Sequence, residues 1–185
     1  MHMSLARVRR CCPYAGLLLV LGGLLGSVTG CGYTVVGATP QGTVRRVFLT
    51  VVPFRNETRE PELESHVTTA VRRAILHSQT LDLAAEGTTP RRLHGIVRRF
   101  RTIPVAFDAN DNVLLYRIEA DILIRLTEKP SQATMLEREF SAWAEYLVSD
   151  TGTVRENVVA REAALVRLAQ QFANTCTAFL VVTLL

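Results

Sequence analysis

Tyr116-Arg117-Ile118-Glu119-Ala120-Asp121-Ile122-Leu123-Ile124-Arg125-Leu126-Thr127 is the stretch whose pattern decides the fold of this chain. Apolar residues at positions 116, 118, 120, 122, 124 and 126 alternate with charged or polar ones, and only Leu123 interrupts the polar set. A period of two marks a strand with one face buried and one face wet. Residues 134–146 repeat the pattern, with Leu136, Phe140, Ala142 and Ala144 on one side and Glu137, Glu139 and Glu145 on the other. Residues 128–132, between the two runs, have the composition of a turn. The two runs therefore read as an antiparallel pair with a shared apolar face.

Upstream, residues 108–112 (Asp-Ala-Asn-Asp-Asn) are a hairpin turn, and residues 93–107 before them are extended, with Gly95 and Pro104 suggesting a bulge or bend. Residues 47–54 form a nearly all-apolar first strand, in which Pro53 ends the pairing or sits at an edge. After a turn over 55–60, Pro61 suits the first turn of a helix, and Glu62 and Glu64 lie near the positive end of its dipole. Leu63, Val67, Ala70, Val71 and Ala74 make the apolar stripe of that helix, with Arg72, Arg73 and His77 largely off it. Residues 80–85 suggest a short strand, and 86–90 are loop.

Downstream, after a turn at 149–152, Thr153 and Glu156 have the capping-box spacing that opens a helix. Its stripe is Val158, Leu165, Leu168, Ala169, Phe172, Cys176, Phe179 and Leu180. Two apolar stripes need one apolar sheet face. The fold class is α+β: a mixed four-stranded sheet with two helices packed side by side on one face.

The amino-terminal stretch sets the domain organisation. Arg7, Arg9 and Arg10 precede an apolar run over 14–26 that is too short and glycine-rich for a membrane span, which reads as a secretory signal. Val28-Thr29-Gly30-Cys31 follows, and this order resembles a bacterial lipobox, implying cleavage after Gly30 and acylation of Cys31. Residues 1–30 are then a signal peptide, 31–46 a lipidated leash of about 50 Å reach at most, and 47–185 one folded domain. Gly32 after the cysteine, where an aspartate would resemble an inner-membrane retention signal, favours the outer membrane.

The chain has 21 Lys+Arg and 17 Asp+Glu; three of the arginines and none of the acids precede residue 31, which leaves 18 against 17. That balance carries no nucleic-acid footprint. Of the four cysteines, Cys11 and Cys12 leave with the signal and Cys31 is the acylation site, so Cys176 has no partner and reads as a small buried hydrophobe.

Chemistry is sparse. There is no glycine-rich phosphate loop, Gly-x-Ser-x-Gly elbow, His-Glu-x-x-His or Cys-x-x-Cys. His66 and His77 stand about 16 Å apart along one helix, too far to share a metal, and His94 lies alone on a strand. The reading is a non-enzyme without cofactor or metal. Glu119, Asp121, Glu137 and Glu139, with Arg117, Arg125 and Arg138 nearby, read as a solvated charged face. Arg91, Arg92, Arg98, Arg99 and Arg101 cluster around one strand; they could dock a phosphorylated glycolipid by charge-assisted hydrogen bonds or blunt an edge strand, and blunting is the favoured reading.

Cys31-Gly32-Tyr33, the Val-rich strand ending in Pro53-Phe54, and Asn56-x-Thr58-x-x-Pro61-x-Leu63-Glu64 leading into a helix with Thr68 and Ala70 are joined by a Tyr-bearing strand, a strand closing near Tyr146 and an Ala-rich last helix. In that order they resemble the LPS-assembly lipoprotein family (LptE-like). The resemblance implies an outer-membrane lipoprotein, lipid-anchored and facing the periplasm, which plugs and helps to assemble the lipopolysaccharide-translocating β-barrel. Lipoproteins that activate a peptidoglycan synthase, or belong to curli-type secretion, share the strand, Asn-x-Thr, helix opening. The activators need a longer leash than this one.

Overall fold

The computed structural model describes residues 46–148 and 153–185. The elements are β1 (Val47–Val51), β2 (Arg55–Asn56), α1 (Leu63–Leu76), β3 (Leu81–Leu83), β4 (Arg91–Phe107), β5 (Val113–Glu128), β6 (Ala133–Leu147) and α2 (Val154–Leu184). The α+β class and the mixed sheet are as the sequence implies. The sheet has six strands rather than four, in the order β3-β1-β4-β5-β6 with β2 also paired to β4. β1 runs parallel to β3 and β4, whereas β4, β5 and β6 form an antiparallel meander. The strand expected over 47–54 is cut by Pro53, which has no N–H to pair: Val51 lies opposite Leu93, and the chain rejoins β4 only where Arg55 and Asn56 meet Ile96 and Val97. A two-residue strand is too short to show any alternation.

The helix-covered inner face of β5 is closed, with Ile118, Ala120, Ile122, Ile124 and Leu126 no more than 1% exposed. Ala142 and Ala144 of β6 lie opposite Ala120 and Ile118, which leaves room for α2 above them. The turn at 108–112 is tied by the Asp108 carboxylate, which accepts from the backbone of Asn110 (2.8 Å) and Asn112 (2.9 Å). Gly95 pairs regularly with Ile124 and is not the bulge. The register shifts at Arg98 and again between Pro104 and Phe107. Gly95 serves the core instead: a Cβ there would lie 2.0 Å from the Phe54 ring, so only glycine lets that ring rest on the strand. Phe54 meets Phe172 edge-on at 6.0 Å, Phe172 meets Phe140 at 6.1 Å, and Phe140 meets Phe179 at 5.4 Å. Each such pair contributes about 0.5–1.5 kcal/mol beyond its buried area.

α1 begins at Leu63 rather than Pro61, because Glu62 takes φ +60° as its N-cap and Pro61 belongs to the turn before it. Thr68 and Ile75 are buried beside the expected stripe. At α2 the capping box is present, with Glu156 N donating to Thr153 Oγ1 at 3.3 Å and Thr153 N donating to Glu156 Oε2 at 2.7 Å. Val158 departs from its expected place. It is 60% exposed, since the first turns of α2 precede the level at which Arg161 meets the segment leading into α1. Arg138 also departs, taking an inner-face position opposite Ile124 with its guanidinium over Phe179 (4.4 Å) and Phe140 (5.3 Å).

Candidate functional site

Asn56 organises the turn that leads into α1. Its amide donates to Glu60 O (2.7 Å) and Glu64 Oε2 (2.9 Å), while its oxygen accepts from Thr58 N (2.9 Å) and Thr58 Oγ1 (2.7 Å). All four hydrogen-bonding positions of the side chain are filled, which explains the Asn-x-Thr pattern as a clip that turns the chain away from β4. Thr68 Oγ1 accepts from Phe54 N (3.0 Å) and donates to Glu64 O (2.6 Å), fixing the same junction from the helix. Glu60, only 8% exposed, pairs with Arg161 of α2 at 2.5 Å. Tyr146 lies against this pair, its phenol pushed above the usual range mainly by burial, and it stacks on Tyr116 at 5.6 Å. The whole arrangement joins α1, α2, β5 and β6, and contains no nucleophile with an adjacent base.

The arginines expected to cluster are separated by the strand's own geometry. Arg99 and Arg101 face outward toward Asp121 (3.4 Å) and Glu119 (3.0 Å), Arg91 approaches Glu128 (4.0 Å), and Arg92 pairs with Glu86. Arg98 stands at the bulge, and among the described residues no carboxylate lies within ion-pair distance of it. Arg117 and Arg125 pair across strands with Glu145 (2.7 Å) and Glu137 (2.8 Å). The expected solvated charged face is thus a ladder of ion pairs over most of its length.

Toward the end of the sheet at which α2 begins, that outer face becomes apolar. Ala106, Leu115 and Leu147 form one row across three strands, and Leu147 is 71% exposed. Trp143, two outward rows back, carries Arg117 over its ring at 4.9 Å and is 48% exposed. Phe107, Val154, Val158 and Val159 add exposed apolar surface at the same end. Sequence reasoning missed Trp143, whose position between Glu139 and Glu145 on the polar side of β6 was the available signal.

The histidines are not brought together: His66 meets Glu162 of α2 (3.0 Å), His77 Nδ1 meets Arg73 O (2.7 Å), and His94 sits on the sheet. Among the described residues no group of three or more His, Cys, Asp or Glu could hold a metal, and no helix is long and apolar enough to cross a membrane. Cys176 is buried, and burial pushes its thiol up to about 12. Cys31 lies outside the described residues.

The family model for LptE, lipopolysaccharide-assembly, matches residues 48–176. The chain belongs to the LptE family. The matched span takes in the Asn56 clip, the meander and α2 as far as Cys176. This is a family of assembly proteins rather than enzymes. No curated protein matches the sequence. Among solved structures, a protein from Xanthomonas campestris shares 16% identity with a TM-score of 0.55, covering 78% of this chain and 90% of that one. The rare lipoprotein B from Shewanella oneidensis shares 14% with a TM-score of 0.50, covering 74% and 96%. A lipoprotein B from Nitrosomonas europaea shares 10% with a TM-score of 0.50, covering 77% and 92%. At these identities the likeness is one of fold.

Proposed function

We propose that this LptE-family protein is an outer-membrane lipoprotein that plugs and helps to assemble the β-barrel delivering lipopolysaccharide to the cell surface. Membership of the lipopolysaccharide-assembly family carries the reading. In it, residues 1–30 are the signal peptide, Cys31 carries the lipid, 31–46 are the leash and 47–185 the working domain. The apolar row of Ala106, Leu115 and Leu147, with Trp143 and Arg117 beside it, supports a role in binding a partner, because tryptophan and arginine in such a setting are typical anchors of an interface. The interface with the barrel should exceed about 2,000 Å², the range of obligate complexes. Of the five β4 arginines, Arg98 is best placed to meet a lipopolysaccharide phosphate, because Arg91, Arg92, Arg99 and Arg101 already face carboxylates.

Depletion should lower the amount of correctly assembled barrel and raise permeability to bulky hydrophobic antibiotics, while leaving peptidoglycan cross-linking unchanged. Slower cross-linking with an intact barrel would overturn the proposal. Cys31→Ala should yield a folded periplasmic protein that no longer sediments with membranes. Membrane-bound Cys31→Ala that keeps its signal would refute the lipid anchor.

A further inference from the structure

The outer face of the sheet holds a concavity of about 330 Å³ where the β1–β2 link passes over β4 and the β5–β6 turn closes the other side. Its polar lining is Arg55, His94, Arg125, Thr127, Gln132 and Thr134, over a floor that includes Gly95 and Ile96. No carboxylate is among the lining residues. We propose that this concavity binds a phosphomonoester, held by Arg55, His94 and Arg125 from three different strands. The site is separate from the arginine cluster and does not depend on the barrel reading.

The state of the lining side chains carries the argument. Elsewhere on this face most charges are committed, as in Arg101 to Glu119 and Arg117 to Glu145. Within the concavity, His94, Thr127, Gln132 and Thr134 have no side-chain hydrogen-bond partner among the described residues. Arg55 is 75% exposed at its side chain and has only Glu57, 4.0 Å away. Arg125 uses Nε on Glu137 at 2.8 Å, which leaves its terminal nitrogens for a further acceptor. The charged groups around His94 are Arg92 on its own strand, with Glu86 beyond, Arg125 on β5, with Glu137 beyond on β6, and Arg55 on β2, with Glu57 beyond. Burial, then Arg92, then Arg125 hold the imidazole below its ordinary value, so a surplus of positive potential is felt inside the concavity.

A phosphoryl group suits this set better than a carboxylate does. A carboxylate is satisfied by one guanidinium fork, whereas the three terminal oxygens of a phosphomonoester can engage two guanidinium groups and an imidazole together. The hydroxyls and amide at the rim suit the hydroxyl-bearing alcohol to which the phosphate is esterified, and the volume has room for part of it. A dianion beside His94 favours the imidazolium, so binding takes up a proton and strengthens on acidification from pH 8 toward the ordinary histidine range.

The test uses the Cys31→Ala chain, which carries no acyl anchor to hold it on vesicles by itself, with His94 followed by NMR. Glycerol 3-phosphate is the soluble probe, and phosphatidylcholine vesicles with or without phosphatidic acid are the lipid probe. We expect a saturable shift of the His94 ring with glycerol 3-phosphate, weakened at least tenfold by Arg55→Gln with Arg125→Gln and unchanged by Arg155→Gln on α2. His94→Gln, followed through Gly95, should keep binding at pH 8 and lose its strengthening at lower pH. Cosedimentation with phosphatidic acid vesicles alone, lost in the double variant, assigns the phosphate to a lipid headgroup. Binding of glycerol 3-phosphate without cosedimentation assigns it to a soluble ester. A His94 ring that neither probe shifts saturably, or a shift that Arg155→Gln reduces as much as the double variant, overturns the site.

Discussion

The two faces of β5 are built from neighbouring residues and obey different physics. On the inner face Ile118, Ala120, Ile122 and Ile124 are sealed beneath the helices, none more than 1% exposed. On the outer face Arg117, Glu119, Asp121 and Arg125 stand in water and are tied pairwise to Glu145, Arg101, Arg99 and Glu137. The inner face supplies the stability, since exposed ion pairs contribute about 0–1 kcal/mol each. The outer face adds little stability and presents its charges to whatever lies against it.

The sharpest way to break this comparison is Ile122→Asp, which places an unpaired carboxylate in the sealed layer and should remove more than about 4 kcal/mol, enough to leave the domain unfolded in circular dichroism. Gly95→Ala comes next, because the new Cβ would meet the Phe54 ring at 2.0 Å and expel it from the core. A loss of about 3 kcal/mol in urea melts is expected. Phe54→Ala should account for most of the same loss, so the double variant should be far from additive.

Alkaline pH probes the inner layer without mutation. Burial pushes the Cys176 thiol up to about 12, above the 9.0 of the free thiol. Its contribution is therefore complete below pH 9 and is lost as the pH rises toward 12, at about 1.4 kcal/mol per pH unit. Tyr146 shifts in the same direction and adds to the loss above pH 10. Urea melts at pH 8, 10 and 11 should show the decline, and thiol reagents at pH 8 should modify Cys176 only as the domain opens. Equal stability at pH 8 and 11 would show that the thiol is not sealed. The smallest effect is expected for Glu119→Ala, within about 0.5 kcal/mol of the parent, since Arg101 is left in water.

The inner layer was legible because its rule is local. Alternation along residues 116–127 assigns both faces of β5, and Thr153 with Glu156 announces the start of α2. What escaped depends on where other elements stop. Val158 has the right helical spacing for the stripe, but periodicity carries no information about whether the fold extends that far. Arg138 has inward parity, and its long stem lets the charge lie over Phe179 instead of being buried. The outer-face concavity draws on residues 52–55, 94–96, 125–127 and 132–134, which no spacing rule brings together. Asn56 was visible only as part of a motif; its four hydrogen bonds explain why asparagine stands there.

The sheet's edges are protected unequally. α2 caps β6, with Arg167 Nη2 donating to Glu145 O at 2.6 Å and Gln171 Oε1 accepting from Trp143 N at 3.3 Å. Beyond Val97, β4 has no strand on its far side among the described residues. It carries Arg98, Arg99, Arg101, Pro104 and two bulged regions, all features that discourage a further strand from pairing.

The place of β1 between β3 and β4 has a consequence for the order of events during synthesis. Both neighbours follow β1 in the chain, so the uncharged run Val47-Phe-Leu-Thr-Val-Val52 emerges with no strand to join until residues 81–83 and 91–93 have followed it. Runs of this composition, left waiting, are prone to pair with other copies of themselves. Arg45 and Arg46 immediately before the run, and Arg55 shortly after it, stand where like charges oppose such pairing.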